Sequence, residues 1–217
     1  MKKNLILFIF SLVTVTGYAQ TFQLTIKDIG VTSAKIQSLQ GEKIATVDSV
    51  TTKEKDFFRF SFKDKKYHHG FYRLAFHNNR SVDFIYDGND VQLKTSASAI
   101  LDSMEIFSSE SNRLYYSFIN LNKAYKTKTD LLQLILARYP KDDEYYNQTK
   151  KRINELQSEY VQFVNVTSQG NPNSFIAKYI RSAQLPVVDI SIPIEKQLDY
   201  LKAHALDNVD FNNSSLI

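Results

Sequence analysis

Three histidines in one short stretch are the first candidates for chemistry: His68, His69 and His77. Imidazole is a common metal ligand and titrates near neutral pH, so this stretch suggests a metal or acid–base site. His69 and His77 share strand parity, but eight residues of strand at about 3.3 Å each separate them by roughly 26 Å. That span is too long for one ion, and His68 points to the opposite face. We therefore interpret all three as ordinary surface histidines and predict neither a metal nor a cofactor.

The next candidates are three nearby carboxylates, Asp83, Asp87 and Asp90. Calcium requires about six to eight oxygen ligands in a regularly spaced loop, and the spacing here does not match that pattern. The Asp-Gly-Asn-Asp sequence at 87–90 is instead typical of a tight turn, which accounts for two of the three residues. A second acidic run, at 142–144, precedes a strongly helical pattern and is predicted to cap that helix.

Five tyrosines form the remaining candidate site. Tyrosine is amphipathic and suits surfaces that bind sugars or peptides, but it also suits the boundary of a modest hydrophobic core. Two interpretations therefore stay open: a binding groove between helices and sheet, or packing. The five residues are Tyr115, Tyr116, Tyr145, Tyr146 and Tyr160.

The first 19 residues have the features of a secretory signal peptide. Lys2 and Lys3 precede an apolar run at 5–15, and Gly17 and Ala19 supply the small residues that a signal peptidase reads, which predicts cleavage after Ala19. The run is too short for a spanning helix, which needs roughly 20 apolar residues, and no later segment comes close. We therefore expect a periplasmic or secreted protein with no transmembrane segment in its mature chain.

Composition excludes several classes of protein. The 217 residues contain no cysteine, which excludes disulfides, a thiolate nucleophile, a Cys-x-x-Cys redox pair and lipid attachment to a cysteine after the signal. The 27 basic and 23 acidic residues become 25 and 23 once Lys2 and Lys3 are removed, a net charge near +2. Nucleic-acid binding requires a clustered basic face, so no nucleic-acid partner is expected.

Residues 20–107 have the alternating pattern of short strands. The clearest unit lies at 70–95, where three alternating runs are separated by two turn clusters. In this unit the residues Tyr72, Leu74 and Phe76 share one face of their strand, and we expect this face, with the equivalent face of the next strand (Val82, Phe84, Tyr86), to support the helices. The series of strands, with no helical pattern between them, predicts an N-terminal antiparallel β-sandwich.

Residues 108–217 change to a helical period. Apolar residues then recur every three or four positions, which predicts four to five helices, including one long amphipathic helix through Tyr146 and Thr167. The polar stretch at 126–129 is expected to interrupt the first helix. The chain is thus predicted to be an α+β protein whose helical region packs on the sheet of its sandwich.

Five segments together resemble a known family. They are Gly-Glu-Lys at 41–43, Gly-Phe-Tyr-Arg-Leu at 70–74, Asp-Gly-Asn-Asp at 87–90, Ser-Glu-Ser-Asn-Arg-Leu-Tyr-Tyr at 109–116, and Asn-Pro-Asn-Ser-Phe-Ile at 171–176. This order resembles domain of unknown function 4369 and the helices after it, the region that precedes a thioredoxin-like domain in secreted bacterial thiol–disulfide oxidoreductases. The likeness covers nearly all of the mature chain. The thioredoxin domain and its cysteine pair have no counterpart in these residues, so no catalytic residue can be assigned from the family.

The resemblance implies a non-catalytic periplasmic accessory or interaction module, whose partner is a thioredoxin-like domain or another envelope protein. The alternative is a glycan- or peptide-binding β-sandwich protein of the cell envelope. A cysteine-free enzyme that uses histidine and aspartate ranks last, since no catalytic arrangement is evident in the sequence.

Overall fold

The computed structural model describes residues 20–63, 67–77 and 79–211. Within these ranges the chain forms eight strands and then four helices, which confirms the predicted α+β class and the order of its two parts. The strands are β1 (Thr21–Lys27), β2 (Ser33–Gln40), β3 (Lys43–Thr51), β4 (Phe57–Ser61), β5 (Gly70–Phe76), β6 (Ser81–Tyr86), β7 (Val91–Ser96) and β8 (Glu105–Ser108). The helices are α1 (Glu110–Arg138), α2 (Glu144–Gly170), α3 (Phe175–Ser182) and α4 (Ile194–Ala203).

The strands form two four-stranded sheets. The first has the order β4-β1-β7-β8 and the second the order β3-β2-β5-β6. Pairing between the named strands is antiparallel except for β1 and β7, which run parallel with Phe22 opposite Val91. The alternation of side chains predicts that a strand is half-buried but not its direction. The predicted antiparallel arrangement therefore holds for the other five pairs of strands and not for this one.

The space between the sheets holds the sandwich core, which is rich in phenylalanine. Phe22 stacks on Phe60 at 4.7 Å between ring centroids, and Phe62 stacks on Tyr86 at 3.9 Å. Because one buried phenylalanine contributes about 1.5–3 kcal/mol, this core is the main source of stability for the N-terminal part. Its buried members are Phe22, Leu24, Ile26, Ala34, Ile36, Phe58, Phe62, Tyr67, Tyr72, Leu74, Phe76, Val82, Phe84, Tyr86, Val91, Leu93 and Ala97.

The second sheet is buried on both faces over β5 and β6, and this reverses one sequence prediction. The face that carries Leu74 and Phe84 lies in the sandwich core, and the helices pack on the opposite face, beside Phe71 and Ile85. The prediction that the first face would support the helices was therefore wrong. Both faces carry large apolar residues, so the strand pattern does not predict which face packs on the helices and which on the other sheet. In the structure, the face with more large apolar residues lies between the sheets.

Helix α1 is continuous, and the predicted interruption at 126–129 is wrong. The hydroxyl of Thr129 donates to the carbonyl of Tyr125 at 2.8 Å, and the ammonium of Lys126 lies 2.9 Å from a carboxylate oxygen of Asp130 one turn later. The polar residues are thus satisfied within the helix, and the stretch contains neither glycine nor proline.

Helix α2 begins where the acidic run predicts. The carboxylate of Asp143 accepts a hydrogen bond from the backbone N–H of Tyr145 at 2.7 Å, which confirms its role as the N-cap. Helices α1, α2 and α3 enclose the helical core, whose buried members are Ile85, Tyr115, Tyr116, Phe118, Tyr125, Leu156, Tyr160, Val164, Ile176 and Ile180.

Side chains of α1 cover the open edge of the second sheet at β6. The amide of Asn112, which is 0% exposed, accepts from the N–H of Ile85 at 2.8 Å and donates to the carbonyl of the same residue at 2.7 Å. One turn along the helix, the hydroxyl of Tyr116 donates to the carbonyl of Asp83 at 2.6 Å. Helix α1 therefore supplies hydrogen bonds that a further strand would otherwise make, and it protects the edge from pairing with another chain.

Candidate binding cleft

A cleft of about 500 Å³ opens on the helix-facing side of the second sheet. It lies where β2 turns into β3 and where β5 begins, and α1 and α3 form its opposite wall. We call this site the aromatic cleft. Its lining residues are Ser38, Leu39, Gln40, Gly41, His68, His69, Gly70, Phe71, Tyr72, Asp83, Tyr115, Phe175 and Tyr179.

Phe71 is the centre of the aromatic lining. Its ring centroid lies 5.1 Å from that of Tyr115, 5.2 Å from that of Phe175 and 4.6 Å from that of Tyr179, all in edge-to-face geometry. Strand parity places Phe71 on the helix-facing side, opposite Leu39 of β2. Residues 175 and 179 are one helical turn apart on α3 and so present one aromatic surface. The floor of the cleft is therefore assembled from two strands and two helices.

An ion pair lies beside this floor. Arg73 and Asp83 are directly opposite each other on β5 and β6, and their side chains form two bonds, Nε to Oδ1 at 2.6 Å and Nη2 to Oδ2 at 2.8 Å. The exposed fractions of the two side chains are 35% and 24%. The hydrogen bond to Asp83 raises the pKa of Arg73, so the guanidinium stays charged beside the carboxylate.

Two phenol groups in the cleft are free to bind a ligand. Burial raises the pKa of Tyr115 and of Tyr179, and the nearby carboxylate of Asp83 raises both further, so both remain protonated at neutral pH. Neither hydroxyl forms a hydrogen bond with another residue of the described ranges, although both residues line the cleft. The cleft thus presents two hydroxyl groups that can donate and accept.

The histidines lie at or outside the rim of the cleft. The backbone N–H and carbonyl of His68 both bond to the hydroxyl of Tyr72, at 2.9 and 2.8 Å, which fixes the rim while the imidazole stays exposed. The ring of His69 packs edge-on against Tyr86 at 5.6 Å, and His77 is exposed at the end of β5. Among the described residues, no three histidine, aspartate or glutamate side chains are placed to hold a metal ion.

The three aspartates have separate structural roles. Asp83 belongs to the ion pair of the cleft, whereas Asp87 accepts from the backbone and side-chain nitrogens of Asn89 at 3.3 and 3.0 Å and from the hydroxyl of Ser111 at 2.5 Å. Asp90 accepts from the backbone N–H of Thr21 at 2.7 Å. These bonds agree with the turn interpretation of residues 87 and 90, and they tie the turn to α1 and to β1.

The five candidate tyrosines do not share one groove. Tyr115 lies in the aromatic cleft, Tyr116 is buried against β6, and Tyr160 lies in the helical core, stacked on another tyrosine ring at 4.6 Å. Tyr145 is exposed, and Tyr146 lines a separate cavity of about 440 Å³ near the start of α4. Tyr115 thus both packs in the helical core and lines the cleft, and the other four tyrosines do not line it.

Phe71, Phe175 and Tyr179 line the cleft but were not predicted from the sequence as members of a site. A usable signal was present in β5, where an aromatic residue stands on the face opposite an already complete apolar face. An aromatic pair one turn apart on α3 was the second signal. Neither signal predicts that β5 and α3 are neighbours, because their contact depends on how α3 packs against the sheet.

Comparison of the chain with models of protein families, with curated proteins and with solved structures gives no match. None of the four helices among the described residues is both long enough and apolar enough to cross a membrane.

Proposed function

We propose that this chain is a non-catalytic interaction module of the bacterial cell envelope, and that the aromatic cleft is the surface that holds its partner. The observation that carries the proposal is the composition of the cleft. Phe71, Phe175 and Tyr179 are half-buried, and a polar rim adjoins them. Aromatic rings left partly open beside polar groups are typical of surfaces that bind another molecule.

The positions of the family-like segments support the same site. Four of the five segments contribute residues to the cleft: Gly41, the adjacent residues 70–72, Tyr115 and Phe175. The fifth, at 87–90, is bonded to α1 through Asp87. Segments that are far apart in the chain thus converge on one place, as is expected if the resemblance reflects a shared binding surface.

The resemblance also suggests the partner and the compartment. It implies a thioredoxin-like domain, or another envelope protein, held in the periplasm or outside the cell. The compartment depends on the predicted signal peptide, which lies outside the described residues. A mature protein whose intact mass begins at Gln20 supports export, and a mass that includes Met1 contradicts it.

The proposed interaction is testable by NMR titration of the isotope-labelled full chain with a purified periplasmic thioredoxin-like reductase domain. We expect shift changes to cluster on Phe71, Tyr115 and Tyr179. Truncation of a central aromatic anchor typically weakens binding about tenfold or more, and we expect that loss for Phe71→Ala. The matched control is Phe107→Ala, which removes an exposed phenylalanine from β8 of the other sheet and leaves the affinity unchanged.

Two outcomes contradict the proposal. One is a set of shift changes that lies away from the cleft, and the other is equal affinity of the two alanine variants. An insulin-reduction assay tests the non-catalytic part, for which we expect the full chain to give no turnover above buffer. Sustained turnover overturns that part alone.

The alternative function, a glycan- or peptide-binding protein of the envelope, uses the same cleft. The two free hydroxyls of Tyr115 and Tyr179 favour it, since a protein surface can also be held by the apolar rings alone. The choice between ligands depends on the polar chemistry of the cleft.

A further inference from the structure

We infer that the aromatic cleft binds a neutral saccharide. This inference rests on the alternative function given above, because it assigns a ligand class to a cleft proposed to bind a glycan or a peptide. Its four supports are the charge of the cleft, its hydrogen-bonding groups, the pairing of the strands beneath it and its size.

The charge of the cleft favours a neutral ligand. Apart from two histidines at the rim, Asp83 is the one acidic or basic side chain in the lining, and Arg73 already satisfies it through two bonds. An anionic or cationic ligand finds no free counter-ion among these lining residues, apart from the two histidines at the rim. Burying a charge without a partner is costly, whereas a neutral ligand avoids that cost.

The hydrogen-bonding groups suit a ligand that carries many hydroxyls. The phenols of Tyr115 and Tyr179 can each donate and accept, and the ring centroids of the two residues are 5.9 Å apart. The ion pair leaves some lone pairs of the Asp83 carboxylate and some N–H groups of Arg73 unused. These groups can accept and donate further hydrogen bonds. A saccharide offers hydroxyls that both donate and accept, together with C–H faces that pack on the negative faces of aromatic rings.

The pairing of the strands disfavours a peptide at this site. An extended peptide commonly binds by adding a strand to a free sheet edge, which satisfies its backbone groups. The strands beneath the cleft, β2 and β5, are both interior strands of the second sheet, and α1 covers the edge at β6. The polar groups that the floor offers therefore come from side chains rather than from a free strand edge.

The size of the cleft fits a small ligand. Its volume of about 500 Å³ falls in the range of roughly 300–1,000 Å³ that is usual for pockets that hold small molecules. The probes for the test are accordingly short: glucose, N-acetylglucosamine, cellobiose and chitobiose, with glucuronic acid and uncharged tetrapeptides for comparison.

The experiment is saturation-transfer NMR on the full chain, with affinities from titration. Tyr115→Phe and Tyr179→Phe each remove one oxygen that has no protein partner in the described ranges, so both variants are expected to keep the fold. Loss of one hydrogen bond predicts a two- to tenfold weaker affinity, roughly, for a bound neutral sugar. Tyr145→Phe is the matched control, because its exposed ring lies outside the cleft.

The outcomes separate this inference from the proposed function. Saturation transfer to a neutral sugar that both cleft variants weaken supports the inference, and weaker binding of glucuronic acid supports the charge argument. If tetrapeptides bind and neutral sugars do not, the saccharide assignment is overturned while the cleft remains the binding surface. If sugars bind equally to the wild type and to both phenylalanine variants, the assignment to this site is overturned.

Discussion

The sandwich core and the helical core lie on the two sides of one sheet and are built from different chemistry. The sandwich core has five phenylalanines and three tyrosines among its 17 buried members, whereas the helical core has one phenylalanine and four tyrosines among its ten and adjoins the buried amide of Asn112. Strands β5 and β6 contribute to both. Burial of apolar area therefore holds the two sheets together, while directed hydrogen bonds set the position of the helices.

This division matters for the aromatic cleft. The cleft lies on the helical side, so its shape depends on where α1 and α3 are held against β5 and β6. The bonds of Asn112 and Tyr116 to β6 fix α1 along the edge strand. A hydrogen bond has a defined geometry and apolar contact does not, so the polar contacts are well suited to holding a binding surface in one arrangement.

The largest effect is expected in the sandwich core. Phe84 is fully buried, with its ring 4.3 Å from that of Phe22, and Phe84→Ala is expected to lower the free energy of unfolding by about 3–5 kcal/mol. Urea denaturation measures this loss. The control, Phe107→Ala, removes a phenylalanine that is 55% exposed and is expected to change stability by less than about 0.5 kcal/mol. Similar losses in both variants contradict the packing described for this core.

The next effect tests the polar contact between helix and sheet. Asn112→Ala leaves the N–H and the carbonyl of Ile85 unsatisfied, which costs roughly 2–4 kcal/mol for the two groups. Asn120→Ala is a matched control, because that asparagine is exposed on the same helix. Hydrogen exchange of the Ile85 amide should accelerate in the first variant alone. Unchanged exchange means that α1 does not protect the β6 edge.

A smaller effect is expected at Tyr160, whose hydroxyl accepts from the backbone N–H of Leu185 at 2.8 Å. Tyr160→Phe keeps the ring in the helical core and removes this bond, so we expect a loss of about 1 kcal/mol in urea denaturation. Tyr145→Phe, at an exposed site, serves as the control and should be neutral. A neutral result at both positions shows that the Tyr160 hydroxyl does not help to hold the segment after α3.

The smallest effect is a dependence on alkaline pH that belongs mainly to the helical side. Burial raises the pKa of Tyr160 to about 12, above the ordinary value of 10.0, and raises the pKa of Tyr116 as well. A raised folded-state pKa contributes stability that is complete below pH 10 and is lost as the pH rises towards 12. At pH 10.5 the expected loss is about 0.8 kcal/mol for Tyr160.

Urea denaturation at pH 8 and pH 10.5 measures that loss, and phenolate absorbance reports the titration itself. The Tyr160→Phe variant should be less sensitive to pH than the wild type. Equal sensitivity of the two proteins contradicts the assignment to this side chain.

The sequence was sufficient to predict features that depend on local pattern. Alternation identified the strands, and the acidic run identified the cap at Asp143. Strand direction was not predictable, since the alternation in β1 is the same whether β7 runs parallel or antiparallel to it. The choice of face in β5 was also not predictable, because Phe71 and Leu74 are both large and apolar and lie on opposite faces.

The aromatic cleft was predictable only in part. Tyr115 stood out as a tyrosine at the start of a helix, but its cleft neighbours Phe71 and Tyr179 come from distant segments of the chain. Helix–sheet packing brings them together, and that packing depends on polar contacts such as those of Asn112. Such a contact pairs one side chain with one backbone group and leaves no periodic signal in the sequence.

The parallel pairing of β1 with β7 has a consequence for how the protein folds. The bond from the backbone N–H of Thr21 to Asp90 closes a loop of 69 residues. At a synthesis rate of about 5–20 residues per second, β7 is made several seconds after β1. Contacts between distant residues slow folding, because the entropy of loop closure is lost before the contacts form. The joining of β1 to β7 is therefore expected to be a late step, and until then one edge of β1 is open to pairing with other chains.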